Sequence, residues 1–284
     1  FDVEFQLDYL DDSLADYWGT PLVPEGSAVS PLSDVILTSA GETVDEQARF
    51  RNFNVRDSRA VSDQLLFRMD LSWRLSDDIE LKNTTYSFNA DRDWGNAEGY
   101  VYCTEVVDVC TETDVIQRYY GYFFVTHDQD LLGNRLTANI NSKIAGRDNR
   151  FLAGLELTNL DFSRARGFRR NIPLAPGDSV DPIAPVTGNY GSRELRGISP
   201  TEIDTRAVFL EDALDLSDRV KVVAALRYEE LDLVRQNFNA TGTLEASSFS
   251  RNFDWLSWRL GIVASLTDDV SAYGQYSDGK DPVN

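Results

Sequence analysis

The residues best equipped for chemistry sit in one short stretch, "RARGFRR", which places Arg164, Arg166, Arg169 and Arg170 around Phe168. Guanidinium groups at this density bind anions, because each offers a fixed fork of donors. The cluster is notable in a chain with 27 basic and 47 acidic residues and a net charge of −20. It predicts an anion-binding rim, against the plainer alternatives of a solvated loop or of pairing with nearby acidic loops or lipopolysaccharide. Aromatic residues with flat faces or phenol donors recur in the same kind of segment: Tyr17, Trp18, Trp94, Tyr100, Tyr102, Phe168 and Tyr190.

Other reactive residue types are scarce. His127 is the single histidine, so any Ser-His-Asp or Cys-His system would have to use it. No G-x-S-x-G elbow accompanies a strand, and His127 is read as a strand histidine beside Asp128. Cys103 and Cys110 form a C-x6-C pair with no histidine nearby. That is a poor zinc set. A disulfide-closed loop in an oxidising compartment is expected, with two free thiols as the alternative. The acidic stretches "LDDSLAD" and "RDSRAVSD" lack the 12-residue Ca²⁺-loop pattern and are read as solvated. No metal or cofactor is expected, and the negative charge argues against a nucleic-acid partner.

The elements that position these residues show a period of two. "FDVEFQLDYL" alternates Phe1, Val3, Phe5, Leu7 and Tyr9 with Asp2, Glu4, Gln6 and Asp8. "LLFRMDLSWRLS", "RFLAGLELT", "VKVVAALRYEELD" and "WLSWRLGIVASLT" repeat the pattern. In "IDTRAVFLEDALDLS" Asp212 breaks the apolar row, and the parity of "IELKNTTYSFNAD" stays open. Nine strands are expected, at 1–10, 64–76, 79–91, 119–145, 150–163, 203–216, 220–235, 253–266 and 270–277. The fourth is taken as one long strand with a bulge near Gly133. Its lower part sets Leu136, Ala138, Ile140 and Ile144 against Arg135, Thr137, Asn139, Asn141 and Lys143.

The connections decide what the apolar faces touch. Short turns such as Ser76-Asp77-Asp78, Gly146-Arg147-Asp148-Asn149, Ser217-Asp218-Arg219 and Thr267-Asp268-Asp269 alternate with long segments near 11–63, 92–118, 164–202 and 236–252. Short turns at one end and long loops at the other are the pattern of an outer-membrane barrel. Tyr9, Trp73, Tyr228 and Trp258 lie near strand ends, where interfacial aromatics sit. The fold class is therefore all-β, a transmembrane antiparallel barrel with long extracellular loops, in contact with outer-membrane lipid.

The order of several pieces carries a resemblance. "AVFLEDALDLSDRVKVVAALRYEELDL" resembles a recurrent hairpin of TonB-dependent siderophore receptors, and "SWRLGIVASLTDDVSAYGQYSDG" is similar to the hairpin after it. "LADYWGTPLVPEG" and "RDWGNAEGYVY" look like loop sequences of that family. The resemblance implies a 22-stranded outer-membrane barrel around an N-terminal plug. It also implies a ferric siderophore bound in the outward vestibule, and passage driven by the TonB complex through the plug.

Siderophores are large, polar, often aromatic chelates, and many of their iron complexes are anionic. The candidate contacts are Tyr17, Trp18, Trp94, Tyr100, Tyr102, Arg164, Arg166, Phe168, Arg169 and Arg170. A haem cargo would want more histidines. With nine strands, no plug and no closing strand, residues 1–284 are expected to be part of a barrel domain, and the isolated chain to aggregate. The alternatives are a small complete barrel acting as a pore or hydrolase, a receptor for a non-iron substrate, and a soluble β-sandwich that binds a partner.

Overall fold

In the computed structural model nine long strands follow one another around a single antiparallel sheet. The structure describes residues 1–14, 17, 19–107, 109–119, 123–169, 178–188 and 191–279, without the side chains of Tyr119 and Arg169. The strands are β1 (Asp2–Leu14), β2 (Arg59–Arg74), β3 (Ile79–Asn96), β4 (Phe123–Ile144), β5 (Arg147–Arg169), β6 (Arg193–Ser217), β7 (Val220–Arg235), β8 (Phe249–Ser265) and β9 (Ser271–Asp278). Each pairs with its sequence neighbours, so the sheet is a meander open at β1 and β9. The expected count of nine holds for the long strands, and a two-residue strand, Phe238–Asn239, also pairs with β6.

Four tight turns join the strands at one end. The turn between β4 and β5 is two residues long, and Ala145 and Gly146 both take positive φ (50° and 79°). That matches the twist a two-residue hairpin needs. Arg147, Asp148 and Asn149, expected in the turn, belong to β5 instead. No bulge occurs at Gly133, where the register of β4 with both neighbours runs through unbroken. The Tyr86 ring lies across Gly133 from the paired strand and fills the space a Cβ would occupy.

The pairing register sorts the side chains onto two faces, since directly opposed residues point the same way. One outward row runs Val3, Leu71, Asn83, Leu136, Leu155, Val208, Tyr228, Leu256. The next runs Trp73, Leu81, Ala138, Ala153, Leu210, Leu226, Trp258. The open parity of β3 is thereby settled, with Ile79 and Leu81 facing outward. Large apolar side chains stay exposed along these rows, including Leu136, Leu155, Val208, Leu226 and Leu256. Water is a poor solvent for so continuous a band, and lipid is a good one.

Directly above the band the outward face turns acidic, with Asp63, Asp91 and Asp128 in one row and Asp130, Asp161 and Glu202 in the next. Like charges face one another here. Burial, then Asp91 and Asp130, push the Asp128 carboxyl above the usual range. About 9–11 residues cross the hydrocarbon, so this acidic row marks its upper limit.

Beyond the lipid band, three long connections pack into a small cap. Gly99–Cys103, Val115–Tyr119 and Ser179–Val180 form a three-stranded sheet, and Val23–Pro24 pairs with Glu42–Thr43. Val23, Ala48, Phe53, Ile116 and Val180 make the cap core. Arg118, fully buried, donates from its guanidinium to the carbonyls of Phe53, Asn54 and Val186, joining all three connections. Cys103 and Cys110 are joined by a disulfide.

Candidate ligand-binding wall of the vestibule

The sheet's inner face has two zones. At membrane height its arginines are matched by acids. Glu156 accepts from Arg135 (2.9 Å) and Arg227 (3.0 Å), and Arg227 also donates to Glu229 (2.5 Å). Arg68 pairs with Asp70 and Arg259 with Glu211. Phe209 lies between the Arg135 and Arg227 guanidiniums, 5.7 Å from each, with its ring over Gly154.

Above the lipid band this balance ends. Arg92 of β3 lies opposite His127 of β4, which lies opposite Arg164 of β5, all on the inner face. One step higher are Trp94, Val125 and Arg166. Arg235 of β7 sits opposite Thr201, itself opposite Phe162. Among the described residues, Arg92, Arg164 and Arg166 have no ion pair. The Arg164 Nε is buried and has no hydrogen-bond partner. A buried donor without an acceptor costs free energy until something accepts from it.

The crowding of positive charge registers on the groups themselves. Burial, then Arg235 and Arg166, lower the pKa of Arg164. Burial, then Arg92 and Arg164, lower that of His127, so the imidazole is neutral at pH 7. The His127 ring lies 5.2 Å from the Phe162 ring. At the top of the same face Phe123 meets Trp94 (5.7 Å) and Phe168 (5.7 Å). The wall thus combines a cluster of edge-on and tilted aromatic rings with cations that have no ion pair among the described residues, below and beside it. Such a surface accommodates a flat, anionic molecule.

The structure corrects the expected setting of these residues. Trp94, Arg164, Arg166 and Phe168 lie on strands β3 and β5 and not in loops. The long strands extend past the membrane because β4, β5 and β6 go on pairing up to Phe123, Arg169 and Arg193. Arg92, His127 and Arg235 join the site through register alone. The sequence signal for them was parity. Counting in twos from Arg135 reaches His127 on the inner face.

The other expected contacts are placed elsewhere. Tyr100 packs against the cap core, and Tyr102 does the same while donating to Asp114 Oδ1 (2.9 Å). Burial is the main cause that raises the Tyr102 pKa. The Tyr17 hydroxyl shares a 2.7 Å hydrogen bond with Thr20. Trp18, Arg170, Tyr190 and the Arg169 side chain lie outside the described residues. On the opposite side of the sheet Phe124 is buried with Val55 and Ala97, under the Arg193 guanidinium. Arg193 is tied to Asp93 (2.7 Å). The cap therefore covers the outward face at this height.

The family described as TonB dependent receptor-like, beta-barrel matches residues 4–282. Among solved structures, the open form of the ferric-catecholate import receptor Fiu from E. coli K12 superposes with a TM-score of 0.72 at 13% identity, covering 97% of this chain and 44% of that one. The siderophore receptor PiuA from Acinetobacter baumannii gives 0.69 at 13% identity, covering 97% and 39%. The ferric citrate transporter FecA gives 0.61 at 14% identity, covering 96% and 32%. At these identities the likeness is one of fold, and the chain spans less than half the length of each. No curated protein matches the chain.

Proposed function

The chain belongs to the TonB-dependent receptor β-barrel family, and from that premise we propose that it forms part of a receptor importing ferric siderophores. Members of the family are outer-membrane transporters, so the chain is a segment of an outer-membrane barrel and not an enzyme. On this reading residues 1–284 belong to the barrel domain, while the plug and the remaining strands lie in the same receptor outside this segment. The plug, in turn, is what the TonB complex would engage.

One observation carries the cargo reading. The inner wall above the lipid holds Arg92, Arg164 and Arg166, which have no ion pair among the described residues, beside the Trp94, Phe123 and Phe168 rings. An anionic iron chelate with aromatic arms supplies what both halves of the wall lack. The hydrolase alternative finds no support in the same geometry. His127 faces two arginines and a phenylalanine ring, which weaken it as a base.

The test is equilibrium binding to the intact receptor in detergent, comparing a trianionic ferric tris-catecholate with a neutral ferric trihydroxamate. Tighter binding of the anionic complex is expected. A charge-assisted hydrogen bond contributes about 1.5–3 kcal/mol, so Arg164→Gln should weaken the anionic complex by roughly 10- to 100-fold and leave the neutral one nearly unchanged. Equal binding of both complexes, with no effect of the substitution, overturns the reading.

A further inference from the structure

His127 is placed where no positively charged group would be comfortable, between Arg92 on one strand and Arg164 on the next. We infer that the Arg92–His127–Arg164 row is a proton-coupled anion site, in which His127 takes up a proton when a polyanion binds and releases it when the polyanion leaves. The inference rests on the function proposed above and adds to it how the site responds to pH.

The groups around the imidazole on every packed strand support this. On β3, Arg92 is directly opposite, with Ala90 and Trp94 to either side. On β5, Arg164 is directly opposite, with Phe162 and Arg166 to either side. Beyond β5, Ser199 and Thr201 follow on β6, and Arg235 on β7. On β4 itself Val125 and Gln129 share the face. The acids nearest in sequence, Asp91, Asp93 and Asp128, alternate onto the outward face, where Asp93 is held by Arg59 (3.2 Å) and Arg193 (2.7 Å). In this row of the inner face the carboxylate among the described residues is Asp12 of β1, three strands from His127 beyond Ser62 and Arg92.

Between the two guanidiniums the imidazole is therefore neutral at pH 7, and the depressed proton affinity follows from partial burial and the two positive charges. A bound polyanion reverses the field. Its charge outweighs the arginines, the imidazolium becomes the favoured form, and the new N–H becomes a further donor to the ligand. The sign follows from linkage. Binding raises the His127 pKa, so binding takes up at most one proton and affinity rises as pH falls between the bound and free values. One proton corresponds to no more than about tenfold in affinity per pH unit. Release into a less acidic compartment is favoured by the same coupling.

The test uses hexacyanoferrate(III), a trianion that does not titrate between pH 5 and 8, with the intact receptor in detergent. Calorimetry in two buffers of different ionisation enthalpy reads the protons taken up on binding, and Kd is followed from pH 8 to 5.5. The expected result is fractional proton uptake and tighter binding at low pH, both absent in His127→Gln. The comparison is of slopes: in the variant the Kd for the probe should not change with pH, whatever its absolute value. If the probe binds through Arg164 but takes up no more protons with His127 than with Gln, the proton coupling is overturned and the anion-binding wall stands. If Arg92→Gln and Arg164→Gln leave probe binding unchanged, the wall itself fails as an anion site, and the coupling fails with it.

Discussion

Replacing Arg118 with methionine should melt the cap and leave the barrel intact. Arg118 is fully buried, on the middle strand of the cap sheet. Its guanidinium donates to the carbonyls of Phe53, Asn54 and Val186, and its backbone N–H to the carbonyl of Asp178 (2.7 Å). Three connections from different parts of the chain converge on one side chain. Methionine keeps the volume of the stem and the backbone bond, and removes the donors. Each carbonyl left buried without a donor costs about 1–3 kcal/mol; Phe53 and Asn54 are buried whereas Val186 is exposed, so the two buried carbonyls sum to roughly 2–6 kcal/mol before water enters to satisfy them.

Among the described residues the central apolar cluster of the cap is five buried residues, Val23, Ala48, Phe53, Ile116 and Val180. Burying a side chain of this kind yields about 1.5–3 kcal/mol at most, so losing the arginine removes much of what holds the unit together. The assay is hydrogen exchange on the intact receptor, followed by mass spectrometry. Peptides from 43–55, 99–119 and 178–188 should lose protection together by 10²-fold or more, while the β4 and β5 peptides keep theirs. Unchanged protection in the three connections would refute the assignment of Arg118 as their common tie. Loss of protection throughout β4 and β5 would refute the independence of cap and barrel.

The interior network and the cap chemistry allow two further checks. In Gly154→Ala the new Cβ falls 2.1 Å from the Phe209 ring, so the ring must leave its place between Arg135 and Arg227. A loss of about 1–3 kcal/mol is expected from the overpacking, read as a lower thermal unfolding midpoint, and a variant as stable as the wild type would contradict the packing. Glu98, in the connection after β3, has its pKa raised by burial. A carboxyl whose folded pKa is raised destabilises once ionised, so the cap should gain stability as pH falls through that raised value towards the ordinary carboxyl value of 4.5. Glu98→Gln should be more stable than the wild type at pH 7 and lose that pH dependence, as read from proteolysis rates across the range.

The alternation of Phe1 to Tyr9, of Leu136 to Ile144 and of Val222 to Tyr228 determined by itself that this is a strand protein with one apolar face. Strand periodicity is local, and it survives in any environment that gives the two faces different solvents. The alternation of short turns with long connections added the membrane, since both are also written along the chain. The pattern failed where local information ran out. In "IELKNTTYSFNAD" polar and apolar residues share both faces, and only the register of β3 against Ile140 and Ala138 assigned them.

The site was legible in part. Arg164, Arg166, Phe168 and Trp94 stood out by type, yet they were expected in loops because charged and aromatic residues without apolar partners give no lipid-facing pattern. Above the membrane both faces of the strands meet water or the cap, so the amphipathic signal disappears while the hydrogen-bonded ladder continues to Arg169 and Arg193. Tyr100 and Tyr102 looked like ligand contacts for the same reason, and packing drew them to the cap core. Bringing Arg92, His127 and Arg164 into one row requires three strands distant in sequence to settle in a single register. Register is a property of pairing between strands, and it is decided only when the sheet forms.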